Sequence, residues 1–549
     1  MSKSKKTWLS AALVGTLALS SLSYAALDAQ AKGKDKKQDE AKNVIMLVMD
    51  GSSDNVSTLA RWYKGGESLA LDSILTGAVR TYSAESAITD SAPAATALAT
   101  GNKSNSGYVG VLPSLVTTPG VEQVKKEDAY KPVANVLEGA KRSGRATGIV
   151  STSEIQHATP AGFSSHATSR SNYDDIGEQQ VYQNIDVVLG GGTDSLNKTR
   201  KDGDNLVSVL EEKDYDFVTN RSELLKSKSS KIWGSFAPSS MAYELDREKT
   251  KPEEPSLADM TEKAINTLKR DKDGFFLMVE GSKIDWAAHA NDPIGMVTDF
   301  LEFDDAVAEA LEFAEKDGDT LVIAVTDHGN SGITMGNLNT NSTYDKTPVS
   351  AYIDPLKEAS MTVEGALSLL KEDKSNLVEV AESYGLKNLT AEELKALQAS
   401  KNLSATLVQL LSARANIGFT TGGHTGDDVT LYSYGPYNPT GLVENTDLAH
   451  TMANAMGFDL KELTKDVFVD AKAQFEKLGY KTKIDAANPN NPVFVATKKN
   501  RTITIPENKN IVSIQDGNSK KTSTREFNTV AVYNGDKFYI SEEMLKFAK

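Results

Sequence analysis

The sequence contains no cysteine. This absence excludes disulfide bonds, zinc sites built on thiolates, iron–sulfur clusters and a cysteine nucleophile. Histidine is also scarce, with 6 residues among 549, so each position is informative. Positive charge falls short of negative charge, 60 Lys and Arg against 75 Asp and Glu, and the net charge is −15. Because binding to a phosphate backbone requires a basic surface, we expect no nucleic acid as a specific partner.

The N-terminus resembles an export signal. Lysines begin it, an apolar stretch follows over residues 8–22, and small residues around 29–31 offer a cleavage site. A membrane anchor is the alternative, but the stretch is short for a span and holds several Ser and Thr. We therefore predict a signal peptide at 1–31, a charged leader at 32–42, and a secreted, extracellular or cell-envelope protein without a membrane span after cleavage.

Short apolar runs alternate with helical patterns along the chain. Such alternation predicts an α/β fold, with a largely parallel central sheet and helices on both faces. The predicted helices include 90–100 and 296–315. The predicted buried strands are 43–49, 147–150, 187–189, 275–279 and 321–325.

Two regions depart from this alternation. Residues from about 345 to 415 are helix-rich and charged, which predicts a helical insertion in a main domain at 43–485. After a Pro- and Asn-rich stretch, residues 490–549 alternate in the manner of strands and predict a small β-rich C-terminal module.

Functional residues of α/β sheets gather beyond the C-terminal ends of the strands. Asp327 and His328 follow the fifth predicted strand, and an oxygen beside an imidazole suits zinc, although such a pair is as often structural. Glu280 follows the fourth strand. Asp285 and His289 come next at i and i+4 on one helix face, which is ligand spacing but also ordinary for a solvated helix.

Three further residues carry weaker signals. His424 lies in a Gly-rich loop, and Asp50 follows the first strand in a segment that also fits a simple turn. Ser91 begins an Ala-rich helix, where free N–H groups favour an anion but where serine is also a common cap. No Gly-x-Ser-x-Gly elbow is present, so metal activation is the remaining route to a serine nucleophile.

Taken together, these residues indicate a functional site more strongly than any one of them does alone. The segment 151–170 adds His157, Thr159, His166 and Arg170, and an arginine can hold a phosphate with two parallel hydrogen bonds. Only His450 lies outside the segments singled out here. Two metals, a nearby hydroxyl and an arginine form a clamp for in-line phosphoryl transfer.

Seven segments of the chain carry a resemblance to a known family. The chain resembles the secreted bacterial alkaline phosphatases over roughly 43–330 and 415–470. The segments that carry the resemblance are, in order, MDGSS, TDSAPAATALATG, VSTSEIQHATPAGFSSHATSR, VVLGGGTDSL, GFFLMVEGSKIDWAAHANDP, VTDHG and GGHTGDDV.

The resemblance implies two zinc ions and a third ion, usually magnesium. The implied ligands are Asp285, His289 and His424 for the first zinc, Asp50, Asp327 and His328 for the second, and Asp50, Thr159 and Glu280 for the third ion. It also implies that Ser91, in contact with the second zinc, becomes phosphorylated and that Arg170 holds the non-bridging oxygens. The first zinc would then stabilise the leaving alkoxide and supply the hydroxide that hydrolyses the phosphoserine.

Two positions depart from many family members. His157, which we include among the predicted metal-site residues, stands beside the third site where some have Asp, which leaves the identity of that ion open. Trp286 stands near the bound phosphate where some have Lys, so we expect weaker product binding. The family often forms dimers, which implies a homodimer, while contact with the cell surface is an option for the C-terminal module.

The implied activity is hydrolysis of phosphate monoesters with a broad substrate range. A phosphodiesterase of the same superfamily is the first alternative, although such enzymes often use threonine as nucleophile and lack the third site. A non-catalytic metal- or phosphate-binding protein is the second alternative.

Overall fold

The computed structural model describes residues 40–517 and 522–549. The predicted signal peptide and residues 32–39 of the charged leader lie outside the described residues. The described strands, numbered in chain order, are β1 (Asn43–Val48), β2 (Leu75–Arg80), β3 (Ala146–Glu154), β4 (Val187–Gly191), β5 (Asp216–Val218), β6 (Ile232–Ser235), β7 (Phe275–Glu280), β8 (Thr320–Val325), β9 (Gly329–Asn330), β10 (Thr334–Met335), β11 (Ile417–Gly418), β12 (His424–Thr425), β13 (Val429–Tyr434), β14 (Gly441–Glu444), β15 (Val469–Asp470), β16 (Lys481–Asp485), β17 (Val493–Lys498), β18 (Arg501–Pro506), β19 (Ile511–Asp516), β20 (Thr522–Glu526), β21 (Val532–Tyr533) and β22 (Phe538–Ile540).

The described α-helices are α1 (Asp54–Tyr63), α2 (Ser91–Thr100), α3 (Val136–Arg142), α4 (Ala158–Ser164), α5 (Tyr173–Tyr182), α6 (Asp194–Asn197), α7 (Leu206–Glu212), α8 (Arg221–Lys226), α9 (Glu244–Thr250), α10 (Leu257–Leu268), α11 (Lys283–His289), α12 (Pro293–Asp317), α13 (Ser350–Lys357), α14 (Val363–Ser368), α15 (Leu377–Ser383), α16 (Ala391–Ala399), α17 (Leu403–Arg414), α18 (Asn445–Ala455), α19 (Leu460–Val467), α20 (Ala471–Lys477) and α21 (Glu542–Ala548). The longest, α12, has 25 residues and carries charges along its length. None of the described helices, α12 included, combines the length and the apolar character needed to span a bilayer.

A ten-stranded sheet organises the fold, in the order β14-β2-β13-β8-β1-β7-β3-β4-β6-β5. Every pairing in it is parallel except those of β13, which runs antiparallel to both neighbours. Side chains of β1 alternate between two cores, with Ile45 and Leu47 on one face and Val44 and Met46 on the other. Helices cover both faces, so the predicted α/β fold with a largely parallel sheet is confirmed.

The predicted strands lie in this sheet as β1, β3, β4, β7 and β8, within a few residues of their expected ends. The other five strands of the sheet were not predicted from the sequence; they are β2, β5, β6, β13 and β14. They lack the continuous apolar run of a strand buried on both faces, because they are short or lie toward the edges, as β5 (DFV) and β2 (LTGAVR) illustrate.

Helices α13–α17 occupy the region predicted as a helical insertion, and their apolar faces join the same core as α12. A buried carboxylate, that of Asp292, connects the two. It caps α12 by accepting from Ile294 N at 3.2 Å, and it also accepts from Val363 N at 2.9 Å and the Tyr384 hydroxyl at 2.8 Å. The insertion is therefore attached close to α11, the helix that precedes α12.

Two antiparallel sheets lie toward the C-terminus, as the predicted fold class expects. One has five strands in the order β16-β17-β18-β19-β20, and the other pairs β22 with β15 and β21. The five-stranded sheet begins at β16, and the Pro- and Asn-rich stretch connects β16 to β17. Phe475 of α20 belongs to the core of this region.

Replacing Asp292 by Ala should lower the free energy of unfolding by about 2–4 kcal/mol, because a helix cap and two further hydrogen bonds disappear. Tyr384→Phe removes one of these bonds and should cost about 1–2 kcal/mol. Urea unfolding of the metal-loaded protein measures both losses of stability. Asp305→Ala is the control, because Asp305 is an exposed residue of α12 and its replacement should leave the free energy of unfolding nearly unchanged. Equal losses of stability in D292A and Y384F would contradict the conclusion that Asp292 stabilises the fold through several hydrogen bonds.

Candidate metal centre

The four central strands of the sheet end at one edge. Val48 of β1 pairs with Glu280 of β7 and Val325 of β8, and Ser151 of β3 pairs with Glu280. Because these strands are parallel, the residues that follow them meet at the same edge. The structure brings together there all the residues predicted as metal ligands.

Asp285, His289 and His424 form the first cluster. The two Nε2 atoms lie 3.1 Å apart, and Asp285 oxygens lie 3.5 Å from His289 Nε2 and 3.7 Å from His424 Nε2. Each Nδ1 faces a backbone carbonyl, that of Gly422 at 2.9 Å and that of Thr89 at 2.8 Å. A carbonyl only accepts, so each Nδ1 carries the proton and both Nε2 lone pairs point into the cluster.

Asp50, Asp327 and His328 form the second cluster, which is fully buried. His328 Nε2 lies 3.2 Å from Asp327 Oδ2, 3.7 Å from Asp50 Oδ1 and 3.2 Å from Ser91 Oγ. The other Asp327 oxygen accepts from the N–H groups of Gly51 and His328, which leaves Oδ2 for the cluster. The His328 ring stacks on His424 at 3.6 Å, so the first two clusters are adjacent.

A third cluster comprises Asp50, His157 and Glu280, whose candidate ligand atoms lie within 4.8 Å of one another. Thr159 is buried on the first turn of α4. Glu280 accepts a short hydrogen bond from Ser151. Asp50 is thus shared between the second and third clusters.

The donors in these clusters fit divalent cations. Among the described residues, both Asp50 oxygens and Asp327 Oδ2 are buried without a hydrogen-bond donor. Burial, followed by the charges of Asp327, Asp285 and Glu280, raises the pKa of Asp50 well above its usual range. Burial likewise raises the pKa of Glu280 to about 7. Carboxylates are buried at such a cost where cations compensate them, and carboxylate with imidazole suits zinc.

Ser91 and Arg170 lie beside the clusters. Ser91 is the first residue of α2, follows the cap Asp90 and is 3% exposed. Arg170 donates from Nη1 to Asp90 Oδ1 at 2.6 Å and from Nη2 to His157 Nε2 at 2.9 Å. The guanidinium is therefore oriented from two sides beside the serine.

This contact bears on His157. An arginine only donates, so His157 Nε2 accepts and Nδ1 carries the proton, which leaves neither nitrogen a lone pair for an ion. Burial and the nearby Arg170 charge lower the pKa of His157 to about 3, so the ring is neutral. The Trp286 ring lies against His157 at 5.7 Å, and the buried ammonium of Lys283 lies 4.2 Å from the Trp286 ring centroid.

Sequence reasoning missed several supporting residues. Asp90 orients Arg170, and Asn330 donates to Asp285 Oδ1 at 2.7 Å. The sequence offered one hint of their roles, because Asp90 lies next to Ser91 and Asn330 lies close to the Asp327-His328 pair. His166, which the sequence placed near the site, instead contacts Glu138 Oε1 and the Gly110 carbonyl in a buried network.

Asp50→Asn should have opposite effects with and without metal. In EDTA-treated protein the free energy of unfolding should stay level or rise by about 1 kcal/mol, because repulsion among buried carboxylates falls. With Zn²⁺ and Mg²⁺ present it should fall, because a shared ligand is weakened. Urea unfolding under both conditions measures the two values.

Asp304→Asn is the matched control for that prediction. Asp304 is also buried, but its oxygens accept from the N–H groups of Ala70 at 3.0 Å and Leu71 at 3.1 Å. Its replacement should destabilise the protein equally under both conditions. Equal destabilisation by Asp50→Asn would show that the cluster is not a cation site.

Comparisons with known proteins identify the family of this chain. The family model described as alkaline phosphatase matches residues 41–458. Alkaline phosphatase 3 of Bacillus subtilis is 36% identical over 84% of this chain and 99% of its own length.

Solved structures show the same relationship. Alkaline phosphatase of Thermus thermophilus is similar with a TM-score of 0.67 and 27% identity, over 78% of this chain and 95% of that one. A variant of the alkaline phosphatase from the Antarctic bacterium TAB5, with a histidine replaced by glutamate and Mg bound in its M3 site, is similar with a TM-score of 0.56 and 25% identity, over 77% of this chain and 100% of that one. With most of its length matched and ligand-type side chains at the edge of its sheet, the chain belongs to the alkaline phosphatase family.

Proposed function

We propose that this enzyme, which as an alkaline phosphatase is a phosphoric monoester hydrolase, acts through a phosphoserine formed on Ser91. The observation that carries the proposal is the 3.2 Å contact between Ser91 Oγ and His328 Nε2, with Asp50 and Asp327 beside the same nitrogen. A serine hydroxyl is a weak nucleophile unless a base or a metal activates it, and the burial of these carboxylates favours a metal.

The family is metal-dependent, and the ions proposed here are two zinc ions and one magnesium. When bound, they would stabilise charge on oxygen and lower the pKa of a coordinated hydroxyl or water. The proposed ligands are Asp285, His289 and His424 for the first zinc, Asp50, Asp327, His328 and Ser91 for the second, and Asp50, Thr159 and Glu280 for magnesium.

The protein's own groups then perform a two-step transfer. Ser91 Oγ bonds to phosphorus in line with the leaving alcohol oxygen, and the alcohol departs with a proton. Water then bonds to the phosphoserine phosphorus, which releases inorganic phosphate and restores the hydroxyl. Arg170 would hold the non-bridging oxygens, because Asp90 and His157 already orient its N–H groups. The N-terminus of α2 adds N–H groups that favour the same charge.

Neither alternative function gains support. The family and the relatives named above are alkaline phosphatases, and nothing in them favours a phosphodiesterase. A non-catalytic role would leave unexplained why a serine and an oriented arginine lie at the same clusters. Export, a homodimer and contact of the C-terminal module with the cell surface remain predictions from the sequence.

Ser91→Ala should lower kcat/KM for 4-nitrophenyl phosphate by at least about 10³-fold, because the attacking oxygen is lost. The variant should still retain metal bound through the carboxylates and histidines, which metal analysis of the purified protein would show. The unmodified enzyme should prefer this monoester to bis-4-nitrophenyl phosphate, lose activity in EDTA and regain it with Zn²⁺.

Ser104→Ala is the matched control, since Ser104 is buried but its hydroxyl donates to the Val111 carbonyl away from the clusters. That variant should keep its activity. Full activity in the Ser91 variant would rule out the phosphoserine mechanism. Loss of both activity and metal would show instead that Ser91 is mainly needed for metal binding.

His157 has a separate proposed role, to position Arg170 rather than to bind the third ion. His157→Asp would add a carboxylate beside Asp50 and Glu280, so it should tighten Mg²⁺ binding at least about tenfold by calorimetry on zinc-loaded protein. A variant of the TAB5 enzyme in which glutamate replaces a histidine has Mg bound in its M3 site, which motivates this test.

His450→Asp controls for added charge, because His450 lies beside Gly101 at the end of α2, away from the clusters. Its Mg²⁺ affinity should match that of the unmodified enzyme. Unchanged or weaker Mg²⁺ binding in the His157 variant would refute the assigned role.

A further inference from the structure

A polar cleft of about 530 Å³ lies where the C-terminal β region meets α5. We call it the junction cleft. Tyr173, Asp174 and Asp175 of α5 line one side, and Glu507 and Asn508, which follow β18, line the other. None of these residues belongs to the metal clusters described above. The cleft thus joins two parts of the chain that the catalytic proposal does not connect.

Two cations beside the junction cleft are already paired with acids, and a third residue of this charge, the exposed Lys201, also lines the cleft. The Lys509 ammonium lies 3.0 Å from a Glu178 oxygen and 3.0 Å from an Asp204 oxygen. Arg200 forms a buried ion pair with Asp202. These pairs account for an acidic group that could otherwise suggest a metal site, namely Glu178, Asp202 and Asp204. We therefore assign no metal ion to these three acidic residues.

Glu507 is left without such a partner. Its residue is 7% exposed, it lines the cleft, and within the described part of the chain its carboxyl makes no hydrogen bond or ion pair. Burial, followed by the charges of Asp175 and Glu178, raises its pKa to about 9. Glu507 is thus largely withdrawn from water, with only the charge of Lys509 acting against the effect of burial, and a bound cation would favour its ionised form.

Asp175 faces the same space from α5. It forms no ion pair among the described residues, and one of its oxygens accepts from Asn508 Nδ2 at 3.1 Å. Asn508 in turn accepts from Gln179 Nε2 at 2.9 Å, which fixes the amide and through it the carboxylate. Two carboxylates on different parts of the chain are thus held toward one cleft.

We propose that the junction cleft binds a hard divalent cation, best matched by calcium, between Glu507 and Asp175. Its lining supplies oxygen donors, including the amides of Asn172 and Asn490. His166 also borders the cleft, but both its ring nitrogens already have partners. Calcium accepts six to eight oxygen ligands with flexible geometry, in roughly the mixture of carboxylate, amide and water found here.

A cation between these carboxylates would bind the folded chain and not the unfolded one. It would therefore stabilise the attachment of the C-terminal region to α5 by mass action. This effect is separate from catalysis, because neither Glu507 nor Asp175 contacts the metal clusters. Calcium should accordingly change stability while leaving turnover nearly unchanged.

The first test is a Ca²⁺ titration of the full chain with Zn²⁺ and Mg²⁺ already saturating. The melting temperature should rise by at least about 2 °C when Ca²⁺ exceeds its dissociation constant 100-fold. Glu507→Gln should remove this rise or weaken Ca²⁺ binding at least about tenfold. Turnover of 4-nitrophenyl phosphate confirms that the catalytic clusters of each variant are intact.

Glu526→Gln is the matched control, because Glu526 lies on β20 of the same sheet and pairs at the surface with Lys213. It should respond to Ca²⁺ as the unmodified enzyme does. Tb³⁺ luminescence gives a second readout, since Tyr173 and Tyr533 line the cleft and can transfer energy to a bound ion. The signal should be displaced by Ca²⁺ and lost in Glu507→Gln.

The absence of any Ca²⁺ effect, or an equal effect in Glu507→Gln, would overturn the proposal. Glu507 would then be a neutral buried acid, and its glutamine variant would be as stable as the unmodified enzyme without calcium. Terbium luminescence that survives the Glu507 substitution would place the ion at the catalytic clusters instead.

Discussion

The structure depends on compensating the negative charge that meets at one edge of the central sheet. Asp50, Glu280, Asp285 and Asp327 are each no more than 5% exposed. Parallel strands bring them together because all the strands end at the same edge, and no pairing among the carboxylates alone could offset their burial. Divalent cations can offset it, so metal binding and the folding of this edge are coupled.

The groups around that edge act by orientation. Backbone carbonyls of Thr89 and Gly422 select the tautomers of His424 and His289, so that both rings present lone pairs to the same space. Asp90 and His157 hold the two ends of the Arg170 guanidinium. A phosphate entering beside Ser91 would therefore meet donors already in place, which lowers the reorganisation that catalysis requires.

Prediction from the sequence succeeded where a local pattern had a single structural meaning. Continuous apolar runs identified β1, β3, β4, β7 and β8, whereas β5, with three residues, offered too little pattern. The scarcity of histidine helped to locate the site from the sequence, because four of the six histidines lie at the clusters. The contact between His157 and Arg170 escaped prediction, since it depends on which nitrogen of His157 faces the guanidinium. Glu507 escaped as well, because one glutamate after a strand carries no signal until its burial is known.

The sequence by itself determined the α/β architecture, the family and the set of candidate ligands. Hydrophobic periodicity and residue type are local properties, and they survive without coordinates. Only the tertiary structure decided how those ligands divide into clusters, which tautomers the imidazoles adopt and that Glu507 lies buried opposite Asp175. These features depend on contacts between residues that lie far apart in the chain, as the 237 positions between Ser91 and His328 illustrate.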